Sequence, residues 1–214
     1  MKKFKSNRIF QILYPLLVYY ILYNVLIGSF YSLFGDRYGY VFAILMAGIL
    51  TLIPIYYIYR KLPKLIPGDI SDKKVYLKYL AYILLTVALA LVINLIIVHL
   101  PIYQSSQAFQ GANQRLNDGG VLIKILCNAI VIPLLEETLY RGIVAGQLTL
   151  WYGPWVGVLV SAFCFGISHF NIVQFLYAFI VGLGLGFIYV KSNRLTLPII
   201  AHGLINLSVI IFSL

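Results

Sequence analysis

Among the polar or ionisable side chains that fall inside apolar stretches of this sequence, six could do chemistry together: Glu136, Glu137, Arg141, His169, His202 and Asn206. An ionisable group at membrane depth costs at least a few kcal/mol, so it needs a partner or a task. Glu137 and Arg141 are four residues apart and share one face of a helix, where they can pair and lower the cost of burial. Glu136 is turned by about 100° from Glu137 on the same helix and has no local basic partner. One glutamate therefore reads as structural and the other as a candidate general base. His202 and Asn206, again four apart, face the same way, and His169 closes the run Phe165-Gly166-Ile167-Ser168-His169. A carboxylate poised as a base, two imidazoles and an amide are the parts of a hydrolytic site. The same Glu and two His could instead supply three ligands to zinc with one position open. The chain has no His-Glu-x-x-His run and asparagine is a poor zinc ligand, so the metal-free reading is preferred and no cofactor is expected.

Each residue also has a plainer reading. A single membrane histidine is often only a helix-helix hydrogen bond, and a buried Glu-Arg pair can be a structural staple. Those readings do not explain why an unpaired Glu, two His and an Asn all gather in the last part of the chain. The third histidine, His99, sits at a helix end beside Pro101 and reads as interfacial. Asn206-Leu207-Ser208 matches a glycosylation sequon, but inside a helix that is chance.

The elements that must hold these residues are membrane helices. Of 214 residues, 62% are hydrophobic and only 10% charged, against about 25% charged in soluble domains. A spanning helix needs about 20 mainly apolar residues. Segments 9–34, 38–59, 77–100, 121–150, 155–169, 173–190 and 195–212 fit, so the chain is expected to be an all-α polytopic bundle of about seven spans. Pro15 predicts a kink in the first span, and Gly35-Asp36-Arg37 a turn after it. Between Gly142 and Val190 there is no Asp, Glu, Lys or Arg, and this stretch must fold as helices turned around Trp151-Tyr152-Gly153-Pro154 and Phe170-Asn171. Gly142 with Gly146, Gly153 with Gly157, and Gly182 with Gly186 are spaced for close helix approach. Residues 1–120 are expected to form three N-terminal spans with their loops, and 121–214 a four-span catalytic core.

The net charge of +10 could suggest nucleic acid, but the basic residues flank hydrophobic segments, which is the pattern of topology signals and anionic lipid contact. Nucleic-acid binding is not expected. Lys2, Lys3, Lys5 and Arg8, then Arg60, Lys61, Lys64, Lys73, Lys74 and Lys78, then Lys191 and Arg194 fall on one side of a seven-span arrangement, against Arg37 and Arg115 on the other. This places the N-terminus in the cytoplasm. The basic start resembles a signal peptide, but its apolar run is too long and lacks a small-residue cleavage site, so a retained first helix is expected. Cys127 and Cys164 read as small buried hydrophobes rather than a disulfide.

Glu136-Glu137 with Arg141, Phe165 with His169, and His202 with Asn206 resemble the three motifs of the CPBP intramembrane proteases. That family includes the type II CAAX prenyl endopeptidases and the bacterial Abi proteins linked to bacteriocin self-immunity. Gly182 to Tyr189 and Leu197-Pro198-Ile199-Ile200-Ala201-His202 resemble the family's lead into its last motif. The resemblance covers 121–208 and implies a peptide hydrolase within the membrane. Glu136 would activate water with help from His169, His202 and Asn206 would stabilise the oxyanion, and Glu137, Arg141 and Phe165 would support them. The implied partner is a membrane-embedded or lipid-associated peptide or protein, in a bacterial cell membrane. Two other classes compete: a non-enzymatic immunity or scaffold protein that keeps the fold, and a small transporter using Glu136 as proton carrier. Transporters are commonly built from repeated halves, and no repeat is visible. By residue count, Glu136 and Asn206 fall near mid-membrane and His169 near the outer end, whereas one site needs them at one depth. Oligomeric state and substrate identity are not written in the sequence.

Overall fold

A computed structural model describes residues 7–68, 72–101, 106–107, 110–111, 114 and 118–212. Lys2, Lys3, Lys5 and Arg115, all used above, lie outside the described residues. Among the described residues every regular element is a helix, and the protein is an all-α bundle.

Helix α1 spans Arg8–Lys61 and folds back on itself at Gly39, whose φ of 79° is open to glycine and strained for other residues. The Asp118 carboxylate accepts from the Tyr40 amide at 3.0 Å, capping the second arm at the bend. The expected turn at Gly35-Asp36-Arg37 is instead helical, and Pro15 lies within α1 without non-helical dihedrals. Helix α2 is Lys73–Val98, N-capped by the Asp72 carboxylate on the Lys74 amide. It buries only Ile83, Thr86 and Ala90, so most of its apolar surface faces outward, as lipid contact requires.

Helix α3 runs from Val121 to Tyr152 as five contiguous segments: α over Val121–Lys124, π over Ile125–Val131, α over Ile132–Glu137, π over Thr138–Ala145 and α over Gly146–Tyr152. Gly153, at φ 92°, ends it. A Cβ at Gly153 would meet nothing within 4 Å, so this glycine serves the turn and not helix packing as expected from its spacing. Helix α4 is Pro154–Ile167, α5 is Ile172–Ser192 and α6 is Thr196–Phe212. Gly182 of α5 lies against Ala162, and Gly186 against Val158.

α1, α2 and α5 are long and apolar enough to cross a membrane, while α4 and α6 are shorter apolar helices. These lengths do not by themselves give seven spans. The first core cluster joins Tyr19 and Ile55 of α1 to Leu135, Leu139, Tyr140 and Ile143 of α3 and to Phe165 and Ala178. The hairpin of α1 thus packs on the part of α3 that carries the glutamates.

The basic residues gather at one end of the bundle. Gln147 donates to the Pro63 carbonyl at 2.9 Å, Asn193 to that of Ile66 at 2.8 Å and Arg194 to that of Gly68 at 2.6 Å. The Arg8 guanidinium lies over Trp151 and Tyr152. The start of α1, the loop after it, the end of α3 and the α5–α6 turn therefore share this end.

Candidate active site

The two glutamates sit on the short α segment of α3 between its two π segments. π turns occur mostly as brief interruptions and often at functional sites. Their rotation lets successive side chains of one helix reach different neighbours. Glu137 is fully buried. Its Oε1 accepts from Arg141 Nη1 at 2.9 Å and pairs with His202 Nδ1 at 2.9 Å. Arg141, also fully buried, donates through Nη2 to the Gly182 carbonyl at 3.1 Å, and its guanidinium lies 4.7 Å from the Phe165 ring centre. The cation is thereby held by a carboxylate, a carbonyl and an aromatic face.

His202 touches both carboxylates. With Nδ1 on Glu137, its Nε2 lies 3.8 Å from Glu136 Oε2. A carboxylate accepts, so the Nδ1 atom carries the proton and Nε2 of the neutral ring is left as a base. Glu136 has 12% of its side chain exposed where Glu137 has none, so Glu136 is the carboxylate open to the site.

His169 sits just past the end of α4, in the turn Ser168-His169-Phe170-Asn171. Its Nδ1 lies 2.9 Å from the Phe165 carbonyl and 3.4 Å from the Ser168 hydroxyl. The carbonyl fixes the proton on Nδ1, so Nε2 again carries the lone pair. Both histidine rings meet the Phe165 ring edge-on, His169 at 5.2 Å and His202 at 5.6 Å between centres. Phe165 is the spacer around which the two imidazoles are set.

Asn206, one turn beyond His202 on α6, donates to the Asn128 carbonyl at 2.7 Å in the first π segment. That bond uses one of two amide hydrogens. Gly203 allows the approach, since a Cβ there would stand 2.6 Å from the Ala129 carbonyl oxygen. His99 instead ends α2 and pairs with its own helix at Leu95. Cys127 and Cys164 are free thiols.

Residue counting set His169 and Glu136 at different depths, yet the structure brings both histidines onto the Phe165 ring beside the glutamates. The 14 residues of α4 rise only about 21 Å, less than the ~30 Å of a hydrocarbon core. Leu195, just before α6, lies against Gly142 of α3, one helical turn past Thr138.

A zinc reading needs Glu136 and the Nε2 atoms of both histidines. Among the described residues no group of three or more His, Cys, Asp or Glu converges as a metal site.

Sequence reasoning missed four neighbours of these residues: Tyr140, whose ring meets that of Phe165 at 5.4 Å, Tyr20, whose hydroxyl lies 3.3 Å from that of Tyr140, Ser168 and the Asn128 carbonyl. Tyr140 lies four residues after Glu136, a spacing that could have flagged it. Ser168 and the Asn128 carbonyl had weaker signals. Tyr20, one of 18 tyrosines, had none.

Residues 118–208 match the family model described as type II CAAX prenyl endopeptidase Rce1-like. The chain is 33% identical over 94 residues to the Bacillus subtilis (strain 168) protein named "Putative membrane peptidase YdiL", covering 44% of this chain and 38% of that one. It is 32% identical over 87 residues to an Escherichia coli protein described as an uncharacterized 24.3 kDa protein, covering 38% and 40%. The match spans about two-fifths of each curated relative. No solved structure matches. Residues 118–208, which hold Glu136, Glu137, Arg141, Phe165, His169, His202 and Asn206, are thus similar to the Rce1-like type II CAAX prenyl endopeptidases, and the chain that carries them is an integral membrane protein.

Proposed function

We propose that this protein is an intramembrane endopeptidase that hydrolyses a peptide bond of a membrane-associated peptide or protein by glutamate-activated water. The observation that carries the reading is the meeting of Glu136, Glu137, His169 and His202, from α3, the α4–α5 turn and α6, around Phe165. Glu136 takes a proton from water while the Nε2 lone pair of His169 orients that water. His202 Nε2 is the nearest base to the protonated Glu136, and the imidazolium formed by proton transfer would be balanced by Glu137. That cation, with the free amide hydrogen of Asn206, stabilises the tetrahedral oxyanion, and as the C–N bond breaks the same proton passes to the leaving nitrogen, which returns Glu136 and His202 to their starting states. Donors of this kind are worth about 3 kcal/mol each.

The substrate class carries over from the relatives only as far as a membrane peptidase. Bacteriocin self-immunity and the processing of a precursor or pheromone peptide are the roles we favour, in a bacterial cell membrane with the N-terminus cytoplasmic.

The test compares membrane and secreted peptides by mass spectrometry from cells making wild type, Glu136→Gln or His169→Ala at equal abundance, with and without bacteriocin challenge. The expected result is a product, or protection, that both variants lose. Variants that behave as wild type would overturn the reading and leave a scaffold or immunity protein. Hydrolysis by the purified protein is expected to persist under strong chelation, and its loss would move the mechanism to zinc.

A further inference from the structure

The family match begins at residue 118, yet α1 reaches the histidine turn. The Tyr20 hydroxyl lies 3.3 Å from that of Tyr140, which is fully buried. The Tyr140 ring in turn meets that of Phe165 at 5.4 Å between centres. The Phe165 carbonyl takes the Ser168 hydroxyl at 2.6 Å and is also the partner of His169 Nδ1 at 2.9 Å. The Tyr20–Tyr140 pair is thus seated against the residue whose carbonyl fixes the His169 tautomer.

The Tyr20 ring makes a second contact. It meets Phe170 edge-on at 6.1 Å between centres. Phe170 directly follows His169 and has φ 54°, a left-handed conformation that bulky L-residues rarely adopt and that persists only when surroundings enforce it. A histidine placed on such a turn depends on what holds the turn.

We infer that Tyr20 is a positioning residue for His169, so that the N-terminal hairpin α1 is part of the catalytic unit and not only a membrane anchor. The catalytic meaning of this rests on the hydrolase reading, whereas the state of the turn can be read without any substrate.

The test uses full-length protein labelled with ¹⁵N-histidine, with the His169 signals assigned by their loss in His169→Ala. In wild type, His169 is expected to show the two separated ring-nitrogen resonances of a single Nδ1-protonated tautomer. In Tyr20→Phe, which keeps the ring and removes the hydroxyl, these are expected to move toward an average. Tyr140→Phe should do the same, and the double variant no more than either. In turnover of a fluorogenic peptide in which a farnesylated cysteine is followed by three C-terminal residues, Tyr20→Phe should lower kcat about fivefold to tenfold, the worth of one hydrogen bond, with KM unchanged. Tyr20→Leu, which also frees Phe170, should lower it further. His169 resonances identical in wild type and Tyr20→Phe would overturn the inference whatever the peptide assay gives. Wild-type turnover by Glu136→Gln, with the resonances shifted in Tyr20→Phe, would overturn the hydrolase reading and keep the positioning of the turn.

Discussion

Glu137 serves two donors through one oxygen, while its Oε2 is buried and has no protein partner. Removing this carboxylate strands Arg141 in the core. Glu137→Ala is therefore expected to cost about 3–5 kcal/mol, the usual penalty for half of a buried pair. Adding Arg141→Met should restore most of that stability without restoring hydrolysis, because His202 still lacks its anion. Thermal melting in detergent and product formation, measured on the same samples, separate the two effects. The Glu137–Arg141 pair was legible because four residues is one helical turn. The Glu137–His202 bond was not, since 65 residues separate the partners and no periodicity links them. The spacing of four that joins His202 to Asn206 correctly puts them on one face, yet each finds a different partner: Glu137 for one and the Asn128 carbonyl for the other.

At the scale of elements, α3 and α6 meet where a π segment presents carbonyls and Gly203 offers no side chain. Gly203→Ala would place a Cβ against the Ala129 carbonyl at 2.6 Å, and backbone cannot swing aside as a flexible side chain can. α6 must move outward, stretching both the Asn206 bond and the His202–Glu136 approach. Lost hydrolysis with a lower melting temperature is the expected result. Gly28→Ala in α1 is the matched control, since nothing lies within 4 Å of its Cβ position. It is expected to stabilise by about 0.5–1 kcal/mol through helix propensity alone. The apolar runs made the helices legible, but the π segments were hidden: Ile125-Leu126-Cys127-Asn128-Ala129-Ile130-Val131 has the composition of any membrane helix. The meeting of His169 with the glutamates was hidden for a related reason. Pro154 and Phe170-Asn171 mark both ends of α4 in the sequence, but a run bounded by turns reads as a full crossing unless its length is set against the bilayer.

Across the whole molecule, the chain boundary at residue 120 is not a boundary in the core, because Tyr19 and Ile55 pack with Leu135 and Leu139. Fold class was legible from composition, but this sharing was not: the first hundred residues hold no buried charge to mark which face of each helix turns inward. The gathering of Arg8, Lys64 and Arg194 with the α5–α6 turn at one end makes the orientation testable. A cysteine at Lys64 in a background lacking Cys127 and Cys164 is expected to react with a membrane-impermeant maleimide in inverted vesicles and not in intact cells. The reverse labelling would place the basic end outside. The short α4 also lets a turn stand among the helices. Polar backbone away from water survives only against protein or solvent, and this turn is closed by its own chain, since the His169 and Phe170 amides donate to the Gly166 and Ile167 carbonyls. The His169 ring is thereby carried on a loop that supplies its own backbone hydrogen bonds.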